Sequence, residues 1–413
     1  MKPSNIRIDD KRYWDSLMQS AKIGPGSQGG MSRLALSDSD KEMRDLFVRW
    51  CKDAGCAVAI DRMGSIFARR KGSDDSLPPV LVGSHLDTQI HGGPFDGCAG
   101  VLAGLEVIRT LNDHGVQTLR PIEVVNWSNE EGARFTPAMM ASAVFAGVTP
   151  LDWALARKDK DGIAFGDALK AIGYDGSTPM GGRKLDSYFE LHIEQGPQLE
   201  EKGIPVGVVT GSFSIRGMNI RVGGENAHVG PTPMDRRRNA LVGAAHLIVA
   251  VNEIGWGEHQ ARGKATSARI EVLPNLFGIL PHHAQVTCDF RHPEVEGVER
   301  MVRALEARLP EIRHRSGCDV EIVERWQYGS EAFSRACIDL VRDTAKALGI
   351  PSMDILSEAG HDAFHITHVA PVAMIFTPCE KGISHNEKEW SKIEDLAPAA
   401  NVLLHAVLAR ASR

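Results

Sequence analysis

Apolar positions along the chain change rhythm several times. In residues 37–55, "SDSDKEMRDLFVRWCKDAG", Met43, Leu46, Phe47, Trp50, Cys51 and Ala54 fall on one helical face. Ser and Asp lead into that run and Gly55 follows it, which predicts a capped helix. "CAVAIDRMGSIFARR" predicts a hairpin turning at Met63-Gly64. Short apolar runs then follow at 79–83, 121–126, 188–192 and 205–209. Helical patterns near 97–113, 137–146 and 165–172 alternate with them. Alternation of this kind predicts an α/β domain, a central mixed sheet flanked by helices.

The pattern changes after "GVVTGSFSIRG". Residues 213–325 read as a strand, a long helix over 235–254, strands at 266–272, 277–280 and 284–291, a helix over 296–309 and a strand at 319–325. That order suits an α+β unit, one antiparallel sheet backed by two helices. The α/β alternation resumes with a helix at 331–348, strands at 352–356 and 371–376, and a helix at 394–411. The expected organisation is a discontinuous larger domain, 1–212 and 330–413, with a smaller domain, 213–329, inserted. A length of 413 residues accommodates both.

Composition removes several function classes. A net charge of −6 without a basic block argues against nucleic acid or an anionic membrane as partner. The seven cysteines are odd in number, scattered and without a CxxC pair, as expected for reduced thiols in a cytoplasmic protein. "MKPSNIRIDDKRYWDSL" has no apolar core of a signal peptide, so none is expected. No uninterrupted apolar run approaches the ~18 residues of a membrane span.

The chemistry sits where the apolar runs stop. "PPVLV" leads into Gly83-Ser84-His85-Leu86-Asp87, "PIEVVNW" into Ser128-Asn129-Glu130-Glu131-Gly132, and "YFELH" delivers His192 before Glu194-Gln195-Gly196. In open α/β sheets, ligands bind beyond the carboxyl ends of the strands. If these strands are parallel neighbours, His85, Asp87, Glu130, Glu131 and His192 converge. Asp96, on the loop approaching a helix, can reach the same place. "GISHNEKEW" adds His385, and "SEAGHDAFH" adds His361 and Asp362.

Singly, each motif has a plain reading: "HLD" as a capped turn, "NEEG" as a solvated helix start, His91 as a loop histidine. Together they describe carboxylates that would repel one another and raise each other's pKa unless cations join them. Imidazole with carboxylate and no thiolate suits zinc, manganese or cobalt. Five or six such ligands suffice for two ions bridged by one carboxylate, an arrangement suited to hydrolysis. The Glu130-Glu131 pair can divide its work, one binding metal and the other moving a proton. Asp87 could orient His85.

These same segments, "GSHLDTQIHGGPFDGCAGVLAGLEVIRTL", "EVVNWSNEEGARF", "LHIEQGP", "HVGPTPM" and "GISHNEKEW", resemble the hydantoinase/carbamoylase amidases. That group comprises N-carbamoyl-L-amino acid hydrolases, β-ureidopropionases and allantoate amidohydrolases, within the di-zinc aminoacylase and carboxypeptidase superfamily. The resemblance covers roughly residues 10 to 410. It implies two divalent ions per subunit, with zinc, manganese, cobalt or nickel all known in the group. His85 and His192 would hold one, Glu131 and His385 the other, and Asp96 would bridge them. Asp87 would support His85, and Glu130 would be the general base.

The resemblance also implies that the inserted domain is a lid and the surface of a homodimer. From it, His228 would reach across the dimer to the oxyanion and Arg291 would clamp the substrate carboxylate. Gln195, Asn275 and Gly360 would contact the substrate, a small ureido or carbamoyl amino acid. Four positions depart from the group's pattern. Gly278 stands where Asn is usual, Glu358 where Gly is usual, Asn239 where Asp is usual, and Val229 follows His228 in place of Ala. Substrate choice is what these changes touch. The expected activity is hydrolysis of an N-carbamoyl-L-amino acid or N-carbamoyl-β-alanine, with allantoate or another ureido or acylamino compound as alternative. A non-catalytic metal-binding protein of the same fold would be expected to have lost one of these ligands or the base.

Overall fold

The computed structural model of the chain describes residues 5–413. The chain forms two compact units. One ends at Thr210 and resumes over Ala332–Arg413, and the other is Gly211–Glu331.

The larger unit is built on an eight-stranded mixed sheet. Its strands are β1 (Ala57–Ile60), β2 (Ile66–Arg70), β3 (Val80–His85), β4 (Ile122–Trp127), β5 (Ser187–Ile193) and β6 (Val206–Ser212), joined by β11 (Ser352–Ser357) and β12 (Val372–Thr377). Their order across the sheet is β1-β2-β4-β3-β5-β12-β6-β11. The neighbours β4, β3, β5 and β12 run parallel. Every residue of these four strands is buried. Burial on both faces makes β3 and β12 read as largely apolar runs, while β4 and β5 carry the polar Glu123, Asn126, Glu190 and His192 among their apolar residues. Helices Cys98–Asp113 and Ile393–Ala411 pack on this sheet. Trp127, Phe67 and Phe145 meet edge-on or stacked beside β4.

Residues 37–55 form the expected helix, Asp38–Asp53, capped by Ser37 Oγ, which accepts from the Asp40 amide. Short helices at Leu151–Leu155, Gln198–Lys202 and Asp362–Ile366 escape the sequence pattern because each spans little more than one turn.

The smaller unit is an antiparallel sheet of β7 (Ser214–Gly223), β8 (Lys264–Leu273), β9 (His283–His292) and β10 (Asp319–Tyr328), in the order β10-β7-β9-β8. Helices Ala240–Gly257 and Val295–Ser316 cover it, and Leu247, Val251, Met301 and Leu305 join Ile220, Val286 and Phe290 in one core. Residues 277–280 are not a strand here. Ile279 makes a single bridge to His228, because Gly278 takes a left-handed φ of 97° and interrupts the extended run. The long helix starts at Ala240 rather than 235, where the Asn239 side chain caps the Leu241 amide.

Ala240–Gly257 is, among the described residues, the one helix long and apolar enough to cross a membrane by length and composition. Here its buried face packs on the four-stranded sheet, while Leu241, Val242, Val249 and Trp256 are exposed.

Candidate active site

Parallel pairing of β4, β3 and β5 brings their carboxyl ends side by side, with His85 opposite Trp127 in register. β12 lies next to β5 and feeds the loop that carries His385. The four post-strand motifs therefore share one sheet edge.

Asp96 is the centre of the cluster. Its Oδ1 lies 3.1 Å from His192 Nε2 and 3.6 Å from His85 Nε2. Its Oδ2 lies 3.3 Å from His385 Nε2. His385 Nε2 is also 3.2 Å from Glu131 Oε2. One carboxylate thus faces two separate donor sets, His85 with His192 and Glu131 with His385. Each set, taken with Asp96, is compact enough to hold a metal ion.

The imidazoles are aimed by backbone. His85 Nδ1 is 2.9 Å from the Asp87 carbonyl and His192 Nδ1 is 2.9 Å from the Ile193 carbonyl. A carbonyl only accepts, so each Nδ1 carries the hydrogen and each Nε2 is turned to the centre. His85 Nε2 is buried there without a hydrogen-bond partner, as suits a ligand atom. Gly97, with φ 65°, lets the Asp96 loop pass over the His85 ring, since a Cβ would lie 2.3 Å from its Cε1.

Support of His85 by Asp87 runs through the main-chain carbonyl, and the carboxylate is 4.0 Å from His85 Nδ1. The carboxylate instead accepts from the amides of Glu130 at 3.2 Å and Glu131 at 3.3 Å. Asp87 thereby aims the Glu pair, an arrangement that a two-residue spacing from His85 does not reveal. The pair splits. Glu130 Oε2 turns to His85 Nε2 at 3.3 Å, and Glu131 turns to His385. Asn129, just before the pair, takes a left-handed φ of 59°, as do Gln195 at 58° and His385 at 51°. Three non-glycine residues in this region of backbone space beside one cluster mark strain held for a site.

Gln195 Nε2 donates to Asp96 Oδ2 at 2.7 Å. Gln89, with no signal in the sequence, donates from its amide to Glu131 Oε1 and from Nε2 to Glu131 Oε2. Glu190, also unforeseen, accepts from Ser84 Oγ, Tyr188 Oη and the Ala363 amide. It ties β3 and β5 to the segment of His361, whose ring lies 4.4 Å from that of His192. Gly360 precedes this segment and is half-buried, whereas His91 is an exposed loop residue.

The electrostatics are those of several carboxylates packed closely among imidazoles. Like charges 4 Å apart repel by about 4 kcal/mol at an effective dielectric near 20. Burial raises Glu130 well above the usual carboxylate range, reinforced by the charges of Asp362, Glu131, Asp96 and Asp87. Burial, then Asp40 and Glu131, raises Asp87 to about 8. Burial opposes charge on Asp96, but the His192 and His385 hydrogen bonds outweigh it and hold Asp96 well below its ordinary value. Burial likewise opposes charged imidazoles, yet the bonds to Asp96 raise His192 to about 9. Asp96 and Glu131 together raise His385 to about 11.

These ion pairs favour the imidazolium form of both rings, and each must give up a proton to bind metal. Metal uptake is expected to release protons, and affinity is expected to fall as pH falls. Calorimetry in buffers of different ionisation enthalpy measures this, and zero proton release at neutral pH would contradict it.

The remaining sequence candidates belong to the smaller unit. His228 is exposed on the loop after β7, and its Nδ1 accepts from the Gly230 amide at 3.1 Å, leaving the hydrogen on Nε2. Arg291, on β9, pairs through Nε with Asp289 Oδ1 at 2.7 Å. Asn275 is exposed on the loop after β8.

A family model described as peptidase family M20/M25/M40 matches residues 81–409. The N-carbamoyl-L-amino-acid amidohydrolase of Rhizobium meliloti is 45% identical over 404 residues, covering 98% of this chain and 97% of that protein. The ureidoglycolate hydrolase of Oryza sativa subsp. japonica is 31% identical, covering 98% of this chain and 85% of that protein. The crystal structure of an amidase of the hydantoinase/carbamoylase family from Burkholderia vietnamiensis superposes with a TM-score of 0.95 at 49% identity, covering 100% of this chain and 99% of that one. The chain belongs to the hydantoinase/carbamoylase amidases of peptidase family M20/M25/M40, hydrolases of linear amide C–N bonds.

Proposed function

We propose that the chain hydrolyses an N-carbamoyl amino acid, an L-α-amino acid or β-alanine derivative, to the amino acid, carbon dioxide and ammonia. The observation that carries this reading is the division of the two Asp96 oxygens between His85 with His192 and Glu131 with His385. The name borne by the Rhizobium meliloti relative supports the substrate class.

The donor set fits two divalent ions, zinc first and manganese, cobalt or nickel as alternatives. All five side chains offer nitrogen or oxygen, none of the groups compact enough to hold an ion includes a cysteine, and His85 Nε2 is otherwise an orphan. Ions bound there would supply Lewis-acid polarisation of the substrate carbonyl and a more acidic water. The chain's own part is proton handling and orientation. Glu130, buried and held by Asp87, takes a proton from the attacking water and returns it to the departing nitrogen. His228 donates from Nε2 to the developing oxyanion. Arg291 holds the substrate carboxylate, with Asp289 fixing the guanidinium plane. Gln195, Asn275 and Gly360 complete the substrate contacts.

A homodimer through the smaller unit is part of this reading. The exposed Val249 and Trp256 on helix Ala240–Gly257 support it, and a monomer in sedimentation would overturn it.

Arg291→Ala is expected to raise KM about tenfold or more for carbamoyl amino acids while changing kcat less, since a charge-assisted pair contributes about 1.5–3 kcal/mol. An unchanged KM would place carboxylate recognition elsewhere.

A second reading, allantoate or another ureido compound, is favoured by Gly278 and Glu358 and by the ureidoglycolate hydrolase relative. Ammonia release from carbamoyl amino acids, allantoate and acylamino acids separates the two. Turnover confined to allantoate would overturn the first.

A further inference from the structure

We propose that Glu389 is a positioning residue that holds Asp96 in its place between the two donor sets. This rests on the reading of the cluster as a metal site. Glu389 lies four residues after His385, and its side chain is buried. Its Oε1 accepts from two consecutive amides, Phe95 and Asp96, each at 3.0 Å. Two amides converging on one carboxylate oxygen fix the peptide plane from which the Asp96 side chain departs.

Three further observations show that the contact is built rather than incidental. Gly93 makes room for it, because a Cβ there would lie 2.3 Å from Glu389 Cδ and 2.4 Å from Oε1. Trp390 and Phe95, the sequence neighbours of Glu389 and Asp96, meet edge to face with centroids 5.3 Å apart. Trp14 closes that aromatic group against both. Finally, the Glu389 backbone is itself held in a turn, its amide donating to the Asn386 carbonyl at 3.0 Å. One short segment thus supplies His385 to one donor set and, through Glu389, aims the carboxylate that serves both.

Loss of a buried group that orients a ligand weakens metal binding about 10- to 100-fold. Glu389→Ala is therefore expected to weaken zinc binding by that factor, measured by competition with a chromogenic chelator on folded protein. Glu389→Gln keeps an Oε1 that accepts both amides, and is expected to restore parental affinity. Gly93→Ala, which crowds the carboxylate away with Glu389 still present, is expected to lose affinity as Glu389→Ala does.

Leu403→Ala, in the buried core of helix Ile393–Ala411, serves as the stability control. It should lower the unfolding temperature and leave zinc affinity unchanged. Glu389→Ala that binds zinc like the parent, or that loses affinity no more than Leu403→Ala at equal loss of stability, overturns the proposal alone. A parent chain that takes up no zinc, manganese, cobalt or nickel overturns the metal reading, and this proposal with it.

Discussion

Glu130→Gln is expected to take up metal like the parent chain and to lose turnover by about 10²- to 10⁴-fold, which corresponds to about 3–5 kcal/mol of transition-state stabilisation. The reason is geometric as well as chemical. The Glu130 amide is held by Asp87 Oδ1, so the glutamine side chain keeps its place while losing the ability to accept a proton. Burial and four neighbouring carboxylates hold Glu130 well above its ordinary value. Divalent cations beside it would pull that value down, toward the range in which a carboxyl group both takes and gives a proton near neutral pH. Steady-state kinetics with elemental analysis of the same sample measures both halves. Parental turnover would remove Glu130 as the base. Loss of metal in this variant would make it a ligand instead.

Asp96→Asn should have the broader effect on metal content. Because Oδ1 faces His85 and His192 while Oδ2 faces His385, one substitution disturbs both donor sets. The parent is expected to retain about two ions per chain and Asp96→Asn fewer than about one. Glu131→Gln, which alters only the set shared with His385, should lose one ion and keep the other. Activity should vanish in Asp96→Asn at least as completely as in Glu130→Gln. An Asp96→Asn chain that keeps both ions would show that Asp96 is not the bridge.

Several features of this protein were legible in its residue order because they depend on local periodicity. Buried parallel strands show as short, mostly apolar runs, so β3, β4, β5 and β12 could be found without coordinates. A polar cluster following such a run lies at a strand end, which placed His85, Glu130, Glu131 and His192 at the carboxyl side of a sheet. The change of rhythm after β6 likewise marked an antiparallel unit between two stretches of α/β alternation.

What residue order could not decide is which strands are neighbours, and which atom of a side chain faces which. The order β4-β3-β5-β12 comes from long-range pairing, and only that order puts motifs more than 250 residues apart in sequence, Glu131 and His385, within 3.2 Å. Asp87 shows the same limit on a smaller scale. Its spacing suggests service to His85, but a turn sends its carboxylate to the amides of the Glu pair and leaves the ring to its carbonyl.

Gln89, Glu190 and Glu389 lie within the quoted motifs, but nothing in the residue order assigned them a role. A carboxylate or amide that bonds to a backbone N–H or a distant side chain has no spacing rule to betray it. The residue sequence by itself determined which histidines and carboxylates follow the buried strands, since strand ends follow from local pattern. The resemblance implied how these side chains divide about Asp96, and only the tertiary structure decided which atom faces which and at what distance, because side-chain directions are set by contacts from distant parts of the chain.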